Sequence, residues 1–378
     1  MVPRACPWGS TGEFSLVSLG DHLTEGSRTQ RKGGLSMKKV TIWGVALLFL
    51  AGSLIVGGAP VVKAEKIELK LAHFMSPMHI QHQKSFAPFS EKVAELSKGQ
   101  VTVKVYSGGA LGGPTQLADA AKTGITDIGF VIPSYTTGRF PRTSAFDLPF
   151  IFDSAVHATK VLYSLAYDYL ADDYKDYKIL WFYSCGTGQF HSATKPIRTV
   201  EDLEGMKMRA PSAYMSKALK LLGANPVGMP ISKLTMSLEK KVVDGMLTPF
   251  SAIIDFRLWD LIKYVAEVDM YLSPMVVLMN KQKWDSLPDA AKKVLDEAAG
   301  MQWGLHAAQV YDDHDQNTVK QNKETGKIEI YKVPPAEKKK FMAAVKGMEA
   351  DWIAEVSQKG IPAKELLDAV YEAAKFHR

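Results

Sequence analysis

The sequence predicts an α/β fold in two lobes. Three observations predict it. The chain has 378 residues, more than one small core organises. A β-α-β-α-β succession runs from Ile67 to Ile132, which implies a mostly parallel sheet with helices on its faces. The pattern then restarts near Lys178 and builds a second α/β unit without repeating the first sequence.

The elements follow in order. Ile67-Glu68-Leu69-Lys70-Leu71 alternates apolar and polar with period two, a strand. A helix pattern runs from about His79 to Leu96 and stops at Lys98-Gly99. Val101, Val103 and Val105 alternate with Thr102, Lys104 and Tyr106, a second strand. Pro114 suits the first turn of the next helix and Gly124 its C-terminal cap. A third strand covers Thr126 to Ile132. In the second unit, strands cover Lys178–Ser184 and Met206–Ala210. Ser212 caps a helix ending at Leu222-Gly223, and Ser232 opens another. Val242 to Leu247 leads into Thr248-Pro249. A long, polar, exposed helix is expected from Leu287 to Gly326, then a short strand over Ile328–Val333 and amphipathic helices.

The N-terminus belongs to a different class. Met37-Lys38-Lys39, an apolar run from Val40 to Val56 and Val62-Lys63-Ala64 make a positive region, a hydrophobic region and a small-residue cleavage site. Residues 37–64 therefore predict a cleaved signal peptide and export to the periplasm. Residues 1–36 lack periodicity and are expected to be an over-extended start or a disordered leader. Residues 1–64 hold seven Lys/Arg and three Asp/Glu, so the remainder carries 39 minus 37, or +2. No basic stripe with interleaved aromatics survives, which argues against nucleic acid as a partner. Cys185 alone remains beyond residue 64, so no intrachain disulfide forms there. It follows an apolar strand and is expected to be a buried structural thiol.

Catalytic motifs are lacking. The glycines between Gly108 and Gly113 miss both the Gly-Lys-Ser/Thr ending of a P-loop and the GxGxxG spacing, so they make a strand-to-helix loop. His73, His79 and His82 cluster without HExxH, a Cys pair or a carboxylate triad; no metal and no cofactor is expected. No GxSxG appears, and Asp244 sits in an Asp-Gly turn.

Arg209 stands out. It ends a strand, Pro211 follows, and Ser212 starts a helix whose free N–H groups favour an anion. A guanidinium offers a planar fork that matches a carboxylate.

These residues resemble a known family. Ile197 to Pro211, containing Asp202-Leu203-Glu204-Gly205 and Arg209-Ala210-Pro211, resembles the "DLkG-x-kiRvp" signature of DctP-type substrate-binding proteins. These serve tripartite ATP-independent periplasmic (TRAP) transporters. Tyr106 to Gly112, Asp147-Leu148-Pro149-Phe150-Ile151-Phe152, Leu222 to Met229 and Val243-Asp244-Gly245 through Pro249 resemble further family motifs in order. The resemblance implies a two-lobed periplasmic-binding-protein-like fold with a hinge and a long helix spanning both lobes. It implies an N-terminal lobe from 65–186 plus 275–315, and a C-terminal lobe from 187–274 plus 316–378. No reaction is expected. The family's carboxylate-binding arginine falls on Arg209, with Ser212, Gln189 and Thr248 at neighbouring pocket positions. His73, Phe74 and Tyr135 would line the N-terminal side, with Ile231, Phe250 and Met246 in the apolar wall. Sialic-acid-type members carry Gln-Glu-Asn where this chain has Met246-Leu247-Thr248. The expected ligand is therefore a monocarboxylate with an apolar, aromatic, 2-oxo or 2-hydroxy body, delivered to TRAP membrane subunits. C4-dicarboxylate binding, a sensor for a signalling receptor and an exported enzyme stay open as alternatives.

Overall fold

The computed structural model describes residues 66–378; the leader and signal-peptide expectations lie outside the described residues. Two sheets organise the chain. The first has strand order β2-β1-β3-β10-β4, with β1 (Ile67–Ala72), β2 (Val101–Tyr106), β3 (Ile128–Val131), β4 (Tyr177–Ser184) and β10 (Pro274–Asn280). The second has order β11-β9-β5-β8-β6-β7, with β5 (Gln189–Ser192), β6 (Lys207–Ala210), β7 (Asn225–Gly228), β8 (Gly245–Thr248), β9 (Tyr264–Glu267) and β11 (Glu329–Lys332). As expected from the crossovers, β1 runs parallel to β2 and β3, and β6 parallel to β7 and β8. The strands that enter from the other lobe, β10 and β5, pair antiparallel.

Helices α1 (Ala87–Leu96), α2 (Leu117–Lys122) and α3 (Ala155–Leu165) pack on the first sheet. A π-helical turn over His82–Phe86 precedes α1. Pro88 lacks the amide that would bond the Lys84 carbonyl one turn back. That carbonyl instead accepts from Nε2 of His306 at 2.7 Å. The second lobe carries α4 (Ala213–Leu221), α5 (Leu234–Glu239) and α6 (Ala252–Asp255). Ser212 caps α4 as expected, its Oγ accepting from the Met215 amide at 3.1 Å.

After α7 (Lys281–Ser286), the long helix expected from Leu287 to Gly326 is broken. It divides into α8 (Asp289–Ala298) and α9 (Gly300–Thr325), because Gly300 takes a positive φ of 76°. Nor is α9 simply exposed. Gly304, Ala307, Ala308, Tyr311, His314 and Thr318 are buried along one stripe. A Cβ at Gly304 would lie 2.2 Å from the Phe182 carbonyl, so this glycine lets α9 lie directly on β4. Farther along, His314 and Asp315 meet residues of the second lobe. The helix thus spans both lobes.

The tail forms α10 (Pro335–Ala344), α11 (Met348–Ser357) and α12 (Ala363–Phe376). Against the expected grouping of 316–378 with the second lobe, α12 packs on α3. Its apolar stripe of Leu366, Leu367, Val370 and Ala374 is buried there, and His157 Nε2 donates to the Ala374 carbonyl at 2.8 Å.

Besides α9 and the returning tail, the segments Cys185–Gly188 and Val268–Ser273 cross between the lobes side by side. They pair antiparallel: Gly188 N donates to Tyr271 O at 2.7 Å, and Met270 N to Gly188 O at 2.9 Å. A Cβ at Gly188 would lie 2.0 Å from the Tyr271 ring, so this glycine makes room for the tyrosine that faces the site below.

Candidate functional site

The site lies where the parallel strands of both sheets end. The carboxyl ends of parallel strands are the usual ligand-binding edge of an open α/β sheet. Phe74 follows β1, Ile132 and Tyr135 follow β3, Arg209 is the penultimate residue of β6 and Thr248 ends β8. With Ile231, Asp255, Tyr271, Tyr311 and His79 they line a cavity of about 60 Å³, room for roughly four to six waters.

Arg209 is 1 % exposed, the position of a charge that needs partners. Its partners among the described residues are neutral. Nε donates to Met229 O at 3.1 Å, Nη1 to Leu247 O at 3.1 Å and Nη2 to Tyr135 Oη at 3.3 Å. No carboxylate among the described residues pairs with it. The guanidinium has five N–H groups, so two remain, one on each terminal nitrogen. The backbone carbonyls at the ends of neighbouring strands fix the plane of the fork, and Tyr271 Oη shares Leu247 O at 3.3 Å.

Thr248 is held by its own carbonyl, which accepts from His191 Nε2 at 2.9 Å. Burial lowers the His191 pKa to about 4, against the raising effect of that bond. The neutral imidazole therefore carries its proton on Nε2 and acts as a strut behind the strand end.

The structure brings Arg209, Thr248, Phe74, Tyr135 and Ile231 together around the cavity. It places four other expected residues elsewhere. Gln189 is consumed by the crossing segments: Oε1 accepts from the amides of Val268 and Asp269, and Nε2 donates to Thr187 and to Asp269 Oδ1. It faces an acidic groove, as does Phe250. Ser212 spends its hydroxyl on the α4 cap and lines a separate cavity of about 110 Å³. His73 is a core residue, stacked on Phe86 with Nε2 bonded to His82 Nδ1 at 2.9 Å. Burial and the neighbouring His82 lower its pKa to about 3. Met246, another apolar candidate, is fully buried in β8 and does not line the cavity.

Several lining residues escaped the sequence reading. Tyr271, from the crossing segment, and Tyr311, from α9, form aromatic wall with Phe130 and Phe256. Asp255 ends α6, whose start follows directly on Thr248-Pro249; its proximity to that motif was the available signal. His79 was visible only in the histidine cluster, yet it faces Asp255 with Nε2 3.4 Å from Oδ2. Cys185 lines the cavity, with its sulfur accepting from Ser273 N at 3.2 Å. Burial pushes its thiol up to about 12, so it is not a poised nucleophile. No group of histidines, cysteines and carboxylates among the described residues is arranged to hold a metal ion.

Comparison with known proteins agrees with this architecture. Residues 71–355 match the DctP family model, described as bacterial extracellular solute-binding protein, family 7. A marine metagenome TRAP solute binding protein specific for aromatic acid ligands, solved with metahydroxyphenylacetate, is 34 % identical; the match covers 82 % of this chain and 99 % of that one, at a TM-score of 0.79. A TRAP solute binding protein from Rhodoferax ferrireducens, solved with copurified benzoate, is 31 % identical, covering 82 % and 98 % at 0.80. The 2,3-diketo-L-gulonate-binding periplasmic protein of Escherichia coli is 25 % identical over 287 residues, 75 % of this chain and 85 % of that one. A two-lobed fold with a buried arginine among neutral partners in the cavity, the family model and these relatives lead to one conclusion: the chain belongs to the DctP family, the bacterial extracellular solute-binding proteins of family 7, and is a TRAP-type solute-binding protein, not an enzyme.

Proposed function

We propose that this protein captures a small monocarboxylate with an aromatic or apolar body in the periplasm and delivers it to TRAP membrane subunits. One observation carries the reading: Arg209 is buried in the cleft with neutral partners and two N–H groups to spare. A bidentate carboxylate would satisfy both its charge and its fork. No other arginine or lysine lines the cavity, which speaks against a second ligand carboxylate. The walls are Phe74, Phe130, Tyr135, Phe256, Tyr271 and Tyr311, surfaces on which a ring can lie. The aromatic acids bound by the two similar structures fit such a wall. Arg209, Thr248, Phe74, Tyr135 and Ile231 are the proposed contacts.

Ligand arrives from one lobe and is enclosed by the other. Tyr135 belongs to the first sheet's lobe and Arg209 to the second, so the carboxylate site is complete only when the lobes close, a hinge transition. The closed form is what the membrane subunits would recognise. No helix among the described residues is long and apolar enough to cross a membrane. The membrane partners are proposed from the family, and export from the 37–64 segment; membrane-subunit genes beside this one would support delivery, a histidine kinase gene the sensor alternative.

The test is a thermal-shift and calorimetry screen on protein refolded to strip carried ligand. Benzoate and related aromatic monocarboxylates should stabilise it. Stabilisation by succinate or sugar acids alone would contradict the proposal.

A further inference from the structure

The cavity has a second pole opposite in charge to the first. Among the residues that line it, Asp255 carries the one carboxylate, as Arg209 carries the one guanidinium. Asp255 is 3 % exposed on its side chain. Its Oδ1 accepts from the Ile80 amide at 3.0 Å and lies 3.3 Å from His314 Nε2. Its Oδ2 has His79 Nε2 at 3.4 Å, beyond the usual range of an N–H···O bond. The acid therefore has neither arginine nor lysine beside it among the described residues, and one oxygen with open acceptor capacity.

The protonation of His79 is fixed by its neighbour. Gln81 N donates to His79 Nδ1 at 3.1 Å, so the ring proton sits on Nε2 and faces Asp255. Burial holds the His79 pKa down to about 4 although Asp255 raises it. The neutral imidazole lies beside the carboxylate without neutralising it, and the Ile80 amide fixes Oδ1. A buried carboxylate with an open lone pair favours a further donor, and a ligand in the cavity can bring one.

Resting on the carboxylate-capture reading above, we infer that Asp255, held by the Ile80 amide, is a specificity residue that selects acids carrying a hydroxyl group remote from the carboxylate. The hydroxyl donates to Asp255 Oδ2 while the carboxylate sits on Arg209. A hydroxyl donor costs less to strip of water than an ammonium. A second carboxylate there would meet Asp255 as a like charge. Asp255 also joins the second lobe to the Ile80 amide of the first, so hydroxyl recognition and lobe closure act on the same side chain.

The test measures Kd by calorimetry for benzoate, 3-hydroxybenzoate, 4-hydroxybenzoate, isophthalate and 3-(aminomethyl)benzoate. The wild-type protein should bind the better hydroxybenzoate at least about tenfold tighter than benzoate, as a hydrogen bond to a charged group allows. Isophthalate and the ammonium acid should bind more weakly than that hydroxybenzoate. In Asp255→Ala the benzoate-to-hydroxybenzoate ratio should fall to about one. Should Asp255→Ala not fold, Asp255→Asn keeps an acceptor for Ile80 and should still shrink the ratio. A wild-type ratio near one, a ratio retained in both variants, or tighter binding of the ammonium acid overturns the inference while leaving carboxylate capture standing. Failure of benzoate and both hydroxybenzoates to bind, or binding indifferent to Arg209→Ala, overturns both.

Discussion

The hydroxyl of Tyr135 lies 3.3 Å from Nη2 of Arg209 and 3.2 Å from the amide of Ile231. It accepts from both, so one phenol of the first lobe ties together the guanidinium and a helical turn of the second. Its own proton is left to donate to a ligand oxygen. Tyr135→Phe should weaken benzoate binding by about 1.5 kcal/mol, roughly tenfold. Calorimetry checks this, and an unchanged affinity would remove Tyr135 from the site.

Asp315 gives a pH prediction. It lies on α9 beside Gly186, in the crossing segment, and its Oδ1 accepts from the Ser251 amide of the second lobe. Burial raises its pKa to about 7, against the lowering effect of the Ser251 bonds. Between about pH 4 and 7 the folded protein holds this proton while the unfolded chain has released it. Stability then falls as pH rises, because the folded state binds more protons. Asp315's contribution is present below the unfolded value of 3.8 and lost by about 7. Asp315→Asn, which resembles the protonated acid, should raise the Tm at pH 7.5 relative to wild type and leave it little changed at pH 4. Equal Tm differences at the two pH values would contradict the assignment.

The buried histidines act in the opposite direction. His79 and His191 are both held down to about 4. Their folded-state pKa lies below the unfolded value of 6.5, so the stability they contribute is present above 6.5 and lost as pH falls towards 4. His191→Gln should flatten the acid side of the Tm profile between pH 6.5 and 4. A profile as steep as that of wild type would rule out this strut as a titrating group.

Gly304 tests the contact between α9 and β4. At an exposed helical site, alanine for glycine gains about 1 kcal/mol. Here the new Cβ would meet the Phe182 carbonyl at 2.2 Å and Tyr163 Oη at 2.9 Å. Gly304→Ala should instead destabilise by about 1–3 kcal/mol, seen as a lower urea midpoint. A gain in stability would show that the helix can lift off the strand at no cost.

Much of the fold was legible because its signals are local. β1 and β2 alternate with period two, and Ser212 and Gly124 mark helix ends where the structure has them. β10 was missed as a strand because it is buried at every position. An apolar run without alternation cannot be told from a helix by period. β5 has four residues, too short for any period.

The site divides in the same way. Arg209 and Thr248 are strand ends beside their own motifs, and local pattern finds them. His79, Asp255, Tyr271 and Tyr311 come together only in the tertiary fold, across more than 200 positions of sequence. Gln189 misled because position in a motif does not fix which groups consume a side chain. Its amide serves the backbone of Val268 and Asp269.

The central claim is that Arg209 captures a ligand carboxylate. Calorimetry with benzoate on wild type, Arg209→Lys and Arg209→Ala tests it most directly, with circular dichroism as the folding control. Loss of a charged partner in a closed site should cost about 2–5 kcal/mol for alanine. Lysine should recover little, because it cannot form the planar fork. Wild-type affinity in a folded Arg209→Ala protein would contradict the account.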